Sequence, residues 1–293
     1  MKTTFVRFDS IDNIELQGLY FLPDIKEVTS AIVHIHGLAG NFYENSFIDH
    51  MAQQYTNNGY AFLSFNNRGH DYINDVVRNE DGKLVSIQCG AAYEEFTECT
   101  FDIDGAVNFM RKKGITSIFL QGHSSGCNKI VYHLSQKKNT DIKGAILLSP
   151  CDDIGLHMES VKNNYETLMA TAQKYIKEGN ENEIMPDGTF YSYPLSARTY
   201  FSSFKIGSPM DVFHYRDTED AFSQLNEIKI PLLVTFGNNG EFLSQPFNFV
   251  NEKVFKKLNN ISAFEVDGAP HNYANKEEVL IKIILNWLSI SNK

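Results

Sequence analysis

The sequence predicts an α/β fold with a mainly parallel central sheet. Short apolar runs rich in β-branched residues alternate with amphipathic segments, as strands and helices do in such folds. One apolar run, residues 115–120, leads through a Gly-x-Ser-x-Gly sequence directly into a helical pattern. At 293 residues the chain is long enough to bury one large core.

Eight apolar runs of strand length are spread along the chain. They lie at residues 3–8, 14–20, 31–35, 60–65, 115–120, 144–149, 231–236 and 261–266. Helical patterns alternate with them, at residues 44–58, 97–113, 129–134, 158–178, 246–257 and 276–288. The first two runs flank a polar turn and predict a hairpin, whereas the later ones are typical of strands buried in a parallel sheet. Residues 72–96 are polar, and we expect them to be irregular, with a turn at Asp81 and Gly82.

The alternation of strands and helices stops after residue 150 and resumes at residue 231. A segment of this length is too long for an ordinary connection, and such segments are usually functional. We therefore predict a core formed by residues 1–150 and 231–293, with a cap or lid formed by residues 151–230. Aromatic side chains in the cap could line a substrate pocket or form only the cap's own small core. These aromatic residues are Phe190, Tyr191, Tyr193, Tyr200, Phe201, Phe204, Phe213 and Tyr215.

Composition excludes several classes of partner. The formal net charge is −10 and no basic cluster is interleaved with aromatics, so we expect neither nucleic acid nor an anionic membrane as partner. The first residues hold no signal-peptide pattern and no apolar run is long enough to span a bilayer, so we expect a cytoplasmic protein. The cysteines are scattered and indicate neither a disulfide framework nor a zinc site. The sequence carries no signal for an oligomeric state.

The Gly-x-Ser-x-Gly sequence is the strongest indication of chemistry in the chain. Its position between a strand and a helix is typical of a nucleophile elbow, whose tight turn requires small neighbours such as Gly122 and Gly126. The turn would hold the central residue, Ser124, clear of the sheet edge at the positive end of the following helix. We therefore predict that Ser124 is a catalytic nucleophile.

A serine hydroxyl needs an adjacent base, and the base needs a group that orients it. On this type of fold the order along the chain is serine, acid, histidine, which makes His271 the candidate base. Glu241 is the carboxylate in the loop after residues 231–236 and is the first candidate for the acid. Asp152 and Asp153 follow residues 144–149 and are the alternative, although a role at a helix start fits them equally.

Backbone N–H groups that stabilise an oxyanion form the remaining part of such a site. Ser125, directly after the nucleophile, supplies one donor, and Leu38 in the glycine-flanked loop at residues 36–40 is predicted to supply the second. The competing interpretation of this loop is a metal site at His34 and His36, which lacks the further ligands that such sites need nearby. The predicted chemistry requires neither a metal ion nor an organic cofactor.

Four motifs together resemble the α/β-hydrolase superfamily: His36-Gly37 and the segments at residues 66–71, 122–126 and 270–272. Within it, the chain is similar to the esterase and acylaminopeptidase-like branches, including siderophore-ester hydrolases and feruloyl esterases. The resemblance implies a mainly parallel sheet with helices on both faces and a cap inserted between the strands near 144–149 and 231–236. It also implies that the arginine of the second motif braces loops near the site. Family members usually carry an Asp where this chain has Gly240, followed by a residue equivalent to Glu241.

We therefore expect a serine hydrolase that cleaves a small-molecule carboxylic ester, which could be bulky or cyclic, through an acyl-enzyme on Ser124. An amidase or peptidase-type acyl hydrolase is the nearest alternative, since the same residues serve both reactions. A non-catalytic binding protein on a hydrolase scaffold is the alternative from another class, and its motive is the missing Asp at Gly240.

Overall fold

The computed structural model describes residues 1–137, 141–186, 193–219 and 222–291. These residues form ten strands, numbered in chain order: β1 (Lys2–Asp9), β2 (Glu15–Leu22), β3 (Ser30–Ile35), β4 (Ala61–Asn66), β5 (Asn74–Glu80), β6 (Lys83–Cys89), β7 (Ser117–His123), β8 (Ile142–Leu148), β9 (Leu232–Gly237) and β10 (Ile261–Val266). Eight of them form one sheet in the order β1-β2-β4-β3-β7-β8-β9-β10. β1 and β2 form the expected antiparallel hairpin, β2 also pairs antiparallel with β4, and all other neighbours are parallel. The predicted mainly parallel sheet is confirmed.

Nine α-helices lie within the described residues: α1 (Phe47–Asn57), α2 (Cys99–Lys112), α3 (Ser125–Ser135), α4 (Asp153–Val161), α5 (Tyr165–Lys177), α6 (Ala197–Phe204), α7 (Ser223–Glu227), α8 (Phe247–Lys253) and α9 (Glu277–Ser291). The helix predicted over 158–178 is instead two helices, because the chain turns at Lys162, whose φ is +50°. None of the helices in the described ranges has both the length and the apolar character that crossing a bilayer requires.

The sheet is buried on both faces, which explains the continuous apolar runs of its central strands. Every residue of β4 and of β9 is buried. One apolar cluster joins one face of the sheet to α2, α3 and α8, and a second joins the opposite face to α1 and α9. The helices therefore cover both faces, as the resemblance implied.

Residues 72–96 contradict the expectation of an irregular segment. They contain a separate two-stranded sheet, in which β5 and β6 pair antiparallel. The turn was predicted correctly, since Asp81 and Gly82 connect the strands with φ values of +50° and +85°. Most side chains of these two strands are exposed. The hairpin therefore lacks the apolar pattern that would have revealed it.

Residues 151–230 lie between β8 and β9 and contribute α4 to α7. A third apolar cluster is formed largely within this segment and includes Tyr200 and Phe204 from α6. Phe213 and Tyr215 instead belong to the cluster on one face of the central sheet. The remaining aromatic residues divide as follows: Phe201 packs against the third cluster, Tyr193 lines a pocket described below, and Phe190 and Tyr191 lie outside the described residues.

Candidate active site

Ser124 lies in a tight turn between the end of β7 and the start of α3. Its φ of +55° and ψ of −132° are unfavourable for a residue with a side chain, and such a conformation costs about 1–3 kcal/mol. The flanking glycines permit the turn because α3 packs so closely against the strands. A Cβ on Gly126 would lie 2.3 Å from the carbonyl oxygen of Ile35, and one on Gly122 would lie 2.7 Å from the carbonyl carbon of Gly126. The local geometry is that of the predicted elbow.

A pocket of about 380 Å³ opens beside Ser124 at the carboxyl ends of the parallel strands. Ser124, His271 and Leu38 all contribute to its wall. The Ser124 hydroxyl contacts the thiol of Cys151, with Oγ and Sγ 3.8 Å apart. Within the described ranges it makes no hydrogen bond to the His271 ring, although both side chains face the same space. Catalytic hydrogen bonds of this kind are often long before substrate binds.

Glu241 is the carboxylate that contacts His271. Its Oε1 lies 2.5 Å from His271 Nδ1, and its side chain is only 5% exposed. Oε2 accepts hydrogen bonds from the Ser149 hydroxyl at 2.6 Å and from the Gly237 N–H at 3.0 Å. Burial alone would raise the pKa of Glu241, but the hydrogen bonds from His271, Ser149 and Gly237 outweigh burial and lower it. An ionised Glu241 accepts a hydrogen bond from the Nδ1–H of His271, which leaves Nε2 as the acceptor of the ring.

Within the described residues, neither of the two alternative acids is hydrogen-bonded to the His271 ring. Asp152 caps the start of α4 by accepting the N–H of Gly155 at 2.8 Å, and it also pairs with Arg216 at 2.5 Å. Asp153 lines the pocket, and among the described residues it makes no hydrogen bond to His271. The helix-start role that the sequence allowed is therefore occupied by Asp152, and the contact with the imidazole is made by Glu241.

Two residues that sequence reasoning did not assign to the site hold the histidine loop in place. His123 Nε2 donates to the carbonyl oxygen of His271 at 2.9 Å; burial, together with the neighbouring His271, lowers the pKa of His123 to about 3 and keeps it neutral. The Ser149 hydroxyl lies 2.9 Å from the hydroxyl of Tyr273, so it connects Glu241 to the same loop. Ser149 has a φ of +50°, which no sequence pattern indicated.

The predicted oxyanion donors flank Ser124. Among the described residues, no hydrogen-bond acceptor is found for the N–H of Leu38 or of Ser125. The loop of Leu38 approaches the elbow closely, since a Cβ on Gly37 would lie 3.0 Å from the Cβ of Ser124. Neither N–H group is therefore engaged by an acceptor within the described residues, and Leu38 itself lines the pocket.

His36 fixes this loop. Its Nδ1 donates to the carbonyl oxygen of Gly37 at 2.8 Å, and its Nε2 accepts the N–H of Asn67 at 3.1 Å. Burial, together with Lys129, holds the pKa of His36 well below its ordinary value, so the ring is neutral and can fill both roles. In the described parts of the chain, no group of three or more His, Cys, Asp or Glu side chains is placed to hold a metal ion.

Arg68, in the loop after β4, forms a buried charge network. The guanidinium is 1% exposed and bonds to three carboxylates, those of Asp102 at 2.8 Å, Asp12 at 2.7 Å and Glu98 at 2.7 Å. Burial opposes its charge, but the facing Asp102 and Asp12 outweigh burial and raise the pKa of Arg68. The network ties the loop after β4 to α2 and to the β1–β2 turn, which is the bracing role implied by the resemblance.

A comparison with models of known protein families assigns the chain to one of them. A family model described as "Protein of unknown function (DUF1749)" matches residues 71–289. The chain belongs to this family. None of the curated protein sequences matches it.

Solved structures with the same fold include several hydrolases. Est1E from Butyrivibrio proteoclasticus, with bound ferulic acid, is 16% identical with a TM-score of 0.65, and the match covers 98% of this chain and 99% of that one. The siderophore hydrolase EstB from Aspergillus fumigatus is 14% identical with a TM-score of 0.70 over 95% of both chains. A thermostable carboxyl esterase from Bacillus coagulans is 12% identical with a TM-score of 0.67, covering 99% of this chain and 98% of that one. The α/β-hydrolase fold predicted from the sequence motifs is confirmed.

Proposed function

We propose that this DUF1749 member is a serine hydrolase that cleaves small-molecule carboxylic esters through an acyl-enzyme on Ser124. The observation that carries the proposal is the 2.5 Å contact between Glu241 and Nδ1 of His271, because His271 lines the same pocket as the strained Ser124. The contact orients the ring so that Nε2 accepts a proton. The carboxyl esterase, the siderophore hydrolase and the ferulate-bound protein of the same fold support an ester as substrate.

In the proposed reaction the Ser124 hydroxyl turns from Cys151 toward His271 Nε2 and loses its proton to that nitrogen as Oγ attacks the ester carbonyl. The N–H groups of Leu38 and Ser125 donate to the oxyanion of the tetrahedral intermediate. The intermediate collapses when the C–O bond to the alcohol breaks and His271 returns the proton to the leaving oxygen. Water then attacks the acyl-enzyme by the same steps and releases the acid.

Glu241 serves as the third member of the proposed triad, despite the departure from the family pattern at Gly240. Gly240 has a φ of +72°, a left-handed conformation that glycine adopts without strain, and the chain turns there directly before the carboxylate. The side chain of Glu241, the next residue, reaches His271 Nδ1 at 2.5 Å. This contact supports catalysis over the alternative of a non-catalytic binding protein.

We further propose that residues 151–230 act as a cap on a core formed by residues 1–150 and 231–293. Leu156 and Tyr193 of this segment contribute to the pocket wall beside Ser124. A volume of about 380 Å³ is within the range of small-molecule sites, which is typically about 300–1,000 Å³. The same reaction would cleave a bulky or cyclic ester. Movement of the cap would make room for such a substrate in the pocket.

Hydrolysis of nitrophenyl butyrate by wild type and by Ser124→Ala tests the proposal. We expect wild type to turn over the ester and Ser124→Ala to lose about 10⁴-fold or more in kcat. Ser135→Ala, at the far end of the same helix, is the matched control and should retain wild-type activity. Nitroanilide analogues of the same acyl group separate ester from amide hydrolysis. Equal turnover by wild type and Ser124→Ala would contradict the proposal.

A further inference from the structure

Asp153 is a buried carboxyl group in the pocket wall without a counter-charge. It is the first residue of α4 and is 6% exposed, and its Oδ2 has no hydrogen-bond partner within the described residues. The adjacent Asp152 is the opposite case, since its carboxylate accepts from Gly155 and from Arg216. Unpaired buried carboxylates are rare because they are costly, and one that faces a pocket indicates a ligand.

The charged groups around Asp153 do not supply a partner. Lys129 is engaged with Glu94 at 2.5 Å, in a buried pair. The other titratable groups that act on Asp153 or feel its charge are acidic or neutral. They are Asp152, Cys127, Cys151 and Tyr193.

The pocket wall as a whole is acidic. Glu44 lies in it together with Asp153, and no Lys or Arg side chain is found in the wall formed by the described residues. Glu44, and Asp153 once it ionises, would repel a substrate carboxylate and attract a positive charge. The wall therefore disfavours anionic esters and favours cationic ones.

We propose that Asp153 is the specificity-determining residue of the pocket and that it pairs with a cationic nitrogen carried by the ester substrate. This inference rests on the proposed esterase function and adds the class of substrate to it. Burial, together with Asp152, raises the pKa of Asp153 to about 8, so near neutral pH the empty pocket holds the protonated acid. Binding of the cation releases this proton to solvent, at a cost of about tenfold in affinity for each pH unit below that pKa.

Matched pairs of esters provide the test. On the acyl side, the nitrophenyl ester of trimethylammoniobutanoate is compared with the isostere in which carbon replaces nitrogen. On the alcohol side, butyrylcholine is compared with its dimethylbutyl isostere. We expect wild type to favour the cationic member of at least one pair by about tenfold or more in kcat/KM. The preference should grow between pH 6 and pH 9 as Asp153 ionises, because the permanent cations do not titrate.

Asp153→Asn should reduce this preference to near one and make it independent of pH. Glu44→Gln, at the exposed rim of the pocket, should reduce the preference by less than about threefold because water screens its charge. A preference near one in wild type for both pairs would overturn the inference. Loss of the preference in Glu44→Gln but not in Asp153→Asn would also overturn it.

A second measurement separates this inference from the proposed function. Calorimetry of butyltrimethylammonium binding to Ser124→Ala needs no turnover, and we expect Asp153→Asn in that background to weaken binding about tenfold or more. Hydrolysis of the uncharged ester without any charge preference would overturn only the role of Asp153. Cation binding that depends on Asp153 in a protein without hydrolytic activity would overturn only the esterase proposal.

Discussion

Arg68 and Asp153 are both buried ionisable residues that follow strands of the central sheet, but their surroundings are opposite. Arg68 is surrounded by Asp102, Asp12 and Glu98, so its charge is fully paired. Asp153 has a buried oxygen without a partner in the described structure and lies near Ser124, whose backbone is strained. A buried charge that is fully paired holds elements of the fold together. Unpaired buried groups and backbone strain are instead typical of functional sites, where a ligand can supply the missing partner.

The largest expected effect is a loss of kcat when a residue of the active site is changed. Glu241→Gln should lower kcat for nitrophenyl butyrate about 10³- to 10⁴-fold, because an amide in place of the carboxylate neither fixes the ring tautomer nor stabilises the imidazolium. The substitution preserves shape, so the free energy of unfolding should change much less than kcat does. Steady-state kinetics and urea unfolding measure both quantities.

Asp153→Asn is the matched variant for the assignment of the acid. It should leave kcat for the same uncharged ester within a few-fold of wild type. If Asp153→Asn abolishes turnover and Glu241→Gln leaves it unchanged, the two residues have been assigned the wrong roles.

In the network of paired charges around Arg68, Arg68→Gln should lower the unfolding free energy by about 3–5 kcal/mol. Removal of the guanidinium leaves Asp102 fully buried without its counter-charge. Arg78→Gln is the control, because Arg78 reaches Asp12 at 3.1 Å from a partly exposed position, and it should cost less than about 1 kcal/mol. Chemical denaturation of the two variants checks the difference. Similar losses in both would show that burial does not distinguish the two arginines.

A smaller change in unfolding free energy is expected from the titration of Asp153. The pKa of Asp153 is about 8 in the folded chain against an ordinary value of 3.8, so the folded state retains a proton that the unfolded chain has lost. Between pH 6 and pH 8 the unfolding free energy of wild type should therefore fall relative to that of Asp153→Asn by about 2–3 kcal/mol. Denaturant melts of both proteins at several pH values measure this difference. A difference that is constant with pH would contradict the raised pKa.

Two parts of the site could be predicted from the sequence: the elbow, which is a local feature, and the histidine, which follows from its order along the chain. The elbow at Ser124 depends on adjacent glycines and on a strand that leads into a helix, all within a dozen residues. His271 was predicted from its order in the chain, and the structure places it in the wall of the same pocket.

The remaining features depend on partners that are distant in sequence. Glu241, Asp152 and Asp153 all follow neighbouring strands, and only their side-chain partners distinguish them. Ser149 is an ordinary serine at a strand end until its contact with Glu241 is seen. The β5–β6 hairpin was missed for a different reason, since it is stabilised by backbone pairing with little buried apolar surface.

The central claim is that the His271–Glu241 pair activates the Ser124 hydroxyl, and covalent labelling tests it most directly. Wild-type protein treated with a fluorophosphonate should gain the mass of one adduct, and peptide mapping should place that adduct on Ser124. Ser124→Ala should gain none, and Glu241→Gln should label far more slowly. A folded wild-type protein that stays unlabelled, or one labelled at another residue, would contradict the account.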